Sequence, residues 1–111
     1  MITVDNLKAL GADTAGGIAR CANNEDFYLR MVNMSLQDGN FDQLKEAIAN
    51  HDLDAAFAHA HAIKGVMGNV GLTSIFDPIC EMTEELRARN DIDYSDYINT
   101  IFTELEKYRS L

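Results

Sequence analysis

Apolar residues recur every three or four positions along most of this chain, and a handful of glycines with a single proline interrupt them. That interval lines one face of a helix and lacks the strict alternation of a half-buried strand, so the expected fold class is all-α. The interruptions fall at Gly11, at Gly16-Gly17, at Gly39 and in the run Gly65, Gly68, Gly71, with Pro78 just beyond. Long amphipathic helices joined by short loops make an antiparallel bundle. A chain of 111 residues can bury one core and is too short for two, so residues 1–111 are expected to form a single domain.

The helices can be placed by their caps and stripes. A short N-terminal turn is expected around Asp5 to Leu10. Asn24 can cap a helix that buries Phe27, Met31, Val32 and Met34 and ends at Asp38-Gly39. Asn40 followed by Gln43 resembles a capping box, and Phe41, Leu44 and Ile48 then share one face. Asp52 can cap a third long helix with Leu53, Ala56, Phe57, Ala60, Ile63, Met67 and Val70 as its stripe, closed by Gly71. A fourth should run from about Thr73 to Arg89, with Ile75, Ile79, Met82 and Leu86 inward and Glu85 pairing with Arg89. Pro78 should kink it or delay its start. Asp93 or Ser95 can begin the last helix, in which Tyr94, Ile98, Ile101, Leu105 and Tyr108 align. Met31, Met34, Met67 and Met82 read as packing residues.

Charge and composition exclude several classes of function. Eighteen acidic against nine basic residues give a net charge of −9, which repels phosphate backbones and anionic lipid, so no nucleic acid or membrane partner is expected. No apolar run could span a bilayer, and the N-terminus lacks a basic start and an apolar stretch, which points to the cytoplasm. Cys21 and Cys80 stand far apart without metal-ligand spacing and read as reduced thiols. A Gly-rich nucleotide loop is lacking, as is room for an ATP domain, so a self-sufficient kinase is excluded.

The chemistry concentrates in the segment His61-Ala62-Ile63-Lys64-Gly65-Val66-Met67-Gly68-Asn69-Val70-Gly71. At about 100° per residue, the buried stripe centres well away from His61, so the imidazole should project from the surface. Ala58, Gly65 and Gly68 share its face and carry almost no side chain. Glycine inside a helix costs about 1 kcal/mol relative to alanine, and close approach by another molecule would justify the cost. Lys64, one turn on, disfavours a protonated imidazole and can neutralise phosphoryl oxygens.

The histidine with Lys at +3, Gly at +4 and Gly at +10 resembles the signature of histidine-containing phosphotransfer (HPt) domains, matched by His61, Lys64, Gly65 and Gly71. The stretches from Asp42 to Leu53 and from Glu81 to Arg87 also resemble the flanking helices of that family. The resemblance runs from about Asn24 to the end of the chain. It implies an antiparallel four-helix bundle with a short N-terminal helical extension. It also implies that His61 is phosphorylated by a receiver-domain phospho-aspartate in a reversible reaction, with Lys64 as electrostatic support and Gly65 leaving space for the receiver; Ala58 and Gly68 extend the docking patch. The expected partners are response-regulator receiver domains, with a hybrid sensor histidine kinase as a further candidate. No cofactor or metal is expected, and the chain is expected to be a monomeric free shuttle. Two alternatives stay open: an HPt-like interaction module without phosphotransfer, and a metal-binding helical bundle. His51 and His59 read as ordinary surface residues, and a His-x-His pair on a helix cannot grip one ion as i, i+4 ligands do.

Overall fold

A computed structural model describes residues 1–111, all of the chain. It contains seven helices and no strand: α1 Val4–Ala9, α2 Thr14–Arg20, α3 Glu25–Leu36, α4 Asn40–Ala49, α5 Leu53–Val70, α6 Thr73–Arg87 and α7 Ser95–Arg109. None is long and apolar enough to cross a membrane. α5, the longest, is the axis of the assembly. It packs against α2, α3, α4 and α6, and α7 lies against α6 and α3.

The caps explain most of the boundaries. Asn24 accepts from the Phe27 N–H at 3.0 Å and Asp52 from that of Ala55 at 3.1 Å, each satisfying an N–H that the helix itself cannot. Gly71 closes α5 in the left-handed region at φ 73°. A side chain there would also run into the Asp13 backbone, since an added Cβ would lie 2.4 Å from the Asp13 carbonyl oxygen.

α6, α7 and most of α5 bury the stripes expected of them. Ile63, Met67, Ile75, Ile79, Met82, Leu86, Ile101 and Tyr108 all belong to the core. In α3 the expected face holds at Val32 alone. Phe27 and Met34 are exposed, the latter by 67%, and Met31 is half-buried, whereas Tyr28, Val32, Ser35 and Leu36 are inside. Two polar residues take that face because carbonyls satisfy them: Ser35 Oγ donates to Val32 O at 2.7 Å and Tyr28 OH to Val70 O at 2.9 Å. Ile48, Leu53 and Phe57 are also only half-buried.

Four local expectations need correction. The N-terminal region holds two helices, with a Thr3–Asn6 capping box on the first, where one turn was expected. Asn40 makes no capping box. Gly39 is the cap residue of α4, and Asp38 accepts from the Asn40 N–H at 2.8 Å. Glu85 does not pair with Arg89: Glu85 accepts from Asn90, and Arg89 reaches Asp54. Finally, α6 begins at Thr73 as expected and holds Pro78 inside it, so of the two effects expected of that proline the late start does not occur; the Ser74 hydroxyl meets Tyr108 OH at 2.9 Å.

The segment before α3, together with the first turn of α3, fastens the C-terminal end of α5. Arg20 Nε donates to Asn69 O at 2.8 Å, Tyr28 OH to Val70 O, and the Asp13 N–H to Gly71 O at 2.8 Å. The Asn69 and Val70 carbonyls, which the helix end leaves open, thereby find donors outside the helix, and Gly71 O accepts from the Thr73 N–H as well as from Asp13. Gly17 makes this approach possible, because a Cβ there would lie 2.3 Å from the Tyr28 ring. The break between α3 and α4 is bridged from the far end of the chain, where Arg109 Nε and Nη2 donate to Leu36 O at 2.8 and 2.6 Å.

Candidate functional site

α5 carries His61 near its middle and presents it on the exposed side, opposite Ala60, Ile63 and Met67. Ala58 is exposed one turn before it and Gly65 one turn after. A Cβ added to Gly65 would meet nothing within 4 Å, so the helix surface beside the histidine is open. Gly68 belongs elsewhere. A Cβ there would lie 2.9 Å from Phe76 Cε1, so this glycine lets α6 approach α5 and adds no free space to the patch. The two glycines inside α5, Gly65 and Gly68, thus have different causes, one external and one internal.

Lys64 is half-buried one turn from His61, toward α6. Its positive charge reaches Cys80 on that helix, where burial pushes the thiol up and the ammonium opposes the shift. His59 faces another way: its Nδ1 lies 2.8 Å from Asn40 Oδ1 at the start of α4. His51 sits in the turn before α5 in a left-handed conformation, φ 54°. The three histidines do not converge, and no group of three His, Cys, Asp or Glu residues is close enough together to hold a metal ion.

Two further features flank His61. Phe57, counted above in the buried stripe, is half-buried and stacks on the imidazole with centroids 5.8 Å apart and planes 23° from parallel. The i−4 spacing from His61 was the available signal, since residues four apart meet on one helix face. On the other side, Gly65, Val66 and Val70 border an open groove of about 470 Å³ whose far wall is Met31, Met34 and Ser35 of α3. Half-buried Met31 and exposed Met34, both expected in the core, are the apolar wall of this groove. Exposed methionine is adaptable contact surface, because its unbranched thioether repacks against different partners.

Chemically, the arrangement offers an accessible imidazole nucleophile, a cation one turn away, cleared space beside both, and an adjoining apolar groove. The family model described as the Hpt domain matches residues 30–109, from α3 through α7. No curated protein and no solved structure matches the chain. Hpt domains are phosphocarrier modules that serve histidine phosphotransfer in phosphorelays, working with receiver domains and kinases. On the extent of that match, this chain belongs to the Hpt domain family.

Proposed function

We propose that the chain accepts a phosphoryl group on His61 from the aspartyl phosphate of a receiver domain and passes it to another receiver, acting as a carrier and not as a kinase. The observation that carries this reading is the exposed His61 beside the open surface at Gly65. In the transfer, a neutral imidazole nitrogen attacks phosphorus with its lone pair. The N–P bond forms as the acyl P–O bond breaks, and the aspartate carboxylate leaves with that electron pair. The second ring nitrogen keeps its proton, so the product is a phosphorylated imidazolium, and the reverse step regenerates the aspartyl phosphate. Lys64 faces the charge on the phosphoryl oxygens and favours the species in which they are shared between donor and acceptor.

In this reading α3 with α4, then α5, α6 and α7, form the antiparallel four-helix bundle of the family, and α1 and α2 are its N-terminal extension. Residues 1–111 act as one domain, monomeric and cytoplasmic. The receiver lays its phosphoryl site over His61 and Gly65, with Ala58 at the rim of the contact, and seats an apolar surface in the groove of Met31 and Met34. Support for that seating is the continuity of the groove with Gly65.

The test is incubation with a panel of phosphorylated receiver domains. The wild-type chain should gain phosphate that is labile in acid and stable in base. The His61→Gln variant should keep its helical circular dichroism and gain none. Phosphate retained by that variant, or mapped to His59, overturns the assignment. A wild-type chain that binds receivers without taking phosphate would instead be an interaction module.

A further inference from the structure

An exposed imidazole on a helix turns freely about its side-chain torsions unless a neighbour holds it. The hydrogen bond made by a histidine side chain in this chain belongs to His59, so hydrogen bonding does not orient His61. Its ring instead lies near-parallel to that of Phe57, at 5.8 Å between centroids. Phe57 is restrained in its turn: the guanidinium carbons of Arg87 and Arg89 lie 5.0 and 4.9 Å from its ring centroid. Arg89 is fixed by two short bonds, from Nε to Asp54 Oδ1 and from Nη1 to Leu86 O, both 2.7 Å. Asp54, Phe57 and His61 stand at i, i+3 and i+7, so one face of α5 carries the whole series and the end of α6 braces it.

We infer that Phe57 is a positioning residue for phosphoryl transfer, a flat platform that limits the orientations of the His61 imidazole and is itself pinned by Arg87 and Arg89. The inference rests on the reading of His61 as phosphoryl acceptor. Phe57 forms no bond and moves no proton; the N–P bond forms and the P–O bond breaks as described above. Its contribution is geometric, because in-line attack on phosphorus requires a nitrogen lone pair aimed along the breaking bond, and a ring already held in that range loses less freedom on reaching it. The stack should therefore act on the transfer step itself and not on receiver docking, whose groove lies on the other side of the histidine.

The experiment compares wild type, Phe57→Leu and Phe57→Tyr. Leucine keeps an apolar side chain of similar reach but removes the flat face, and tyrosine restores it. Two quantities are read: the proton NMR shifts of the His61 ring, identified by their loss in His61→Gln, and single-turnover transfer from a receiver carrying labelled aspartyl phosphate. In Phe57→Leu the His61 shifts should move toward those of an unstacked imidazole. The transfer rate at saturating receiver should fall roughly two- to tenfold, the range that one aromatic pair supports. The half-saturating receiver concentration should stay unchanged. Phe57→Tyr should return both shift and rate. A Phe57→Leu variant that transfers at the wild-type saturating rate, or a Phe57→Tyr variant as slow as it, overturns the inference while leaving His61 as the carrier. A wild-type chain that takes phosphate neither from any receiver nor from phosphoramidate overturns the carrier reading, and the positioning role with it.

Discussion

The hydroxyl of Tyr28 donates to the carbonyl of Val70 across 2.9 Å, tying the start of α3 to the last turn of α5. Burial pushes that hydroxyl up to about 12 from an ordinary 10.0, with the negative charge of Asp13 adding to the effect. The folded chain thus favours the protonated phenol. The stability this contributes is fully present below pH 10 and is lost as the pH rises through about 12. Tyr28→Phe should cost about 1 kcal/mol at neutral pH, through the unpartnered Val70 carbonyl. It should also flatten the alkaline limb of a stability-against-pH curve measured by urea unfolding. Burial also raises Tyr94 and Tyr108, so part of the limb should survive. An alkaline limb identical in both proteins would show that Tyr28 does not contribute to it.

The two glycines flanking the site should respond in opposite ways. At Gly65 a side chain enters open space, so Gly65→Gln should leave the fold as stable or up to about 1 kcal/mol more stable, while blocking transfer from a receiver by occupying the contact surface. At Gly68 even a methyl group meets the Phe76 ring at 2.9 Å. Gly68→Ala should lose about 1 kcal/mol, overpacking outweighing the gain in helix propensity, and should keep most of its transfer activity. Thermal melts alongside transfer assays would separate the pair, and normal transfer by Gly65→Gln would refute the open-surface argument.

Lys64→Ala removes the cation nearest the reacting nitrogen on α5. Transfer should slow by about tenfold, the equivalent of 1.4 kcal/mol in the barrier, with helical content unchanged. Because the side chain is only half-buried, added salt should screen its charge and narrow the gap between variant and wild type. Equal rates at low salt would make Lys64 an ordinary surface residue.

Gly71→Ala combines two penalties, a left-handed backbone at φ 73° and a Cβ against the Asp13 carbonyl. A loss of about 2 kcal/mol or more is expected in denaturant unfolding. A loss below about 0.5 kcal/mol would mean that the N-terminal segment shifts away easily and holds α5 only loosely.

The helices legible in the sequence were those whose packing is purely apolar. Ile75, Ile79, Met82 and Leu86, or Ile98, Ile101 and Leu105, repeat at helical spacing and bury as spaced. α3 was misread because its inward face includes Tyr28 and Ser35, whose burial depends on carbonyls supplied by Val70 and by the preceding turn. α2, with two adjacent glycines, carries almost no apolar stripe, and its place is set by contact with Tyr28 and the end of α5. At the proposed site, helical spacing and the resemblance to the family signature single out His61, Lys64 and Gly65, and spacing alone accounts for the exposure of His61 and Gly65. The stack of Phe57 with Arg87 and Arg89 could not, because it needs the end of α6 to return beside α5, a relationship between residues distant in the chain.

The family match starts at residue 30, yet the last carbonyls of the helix that bears His61 are held by Asp13, Arg20 and Tyr28, all of which lie ahead of it. The stretch that recurs among relatives and the stretch that must fold together are therefore different lengths. A fragment trimmed to the shared region would keep every residue of the motif and still leave the Asn69 and Val70 carbonyls at the end of its central helix without their donors. Heredity draws its boundary at α3; cooperativity draws it at least as early as Asp13.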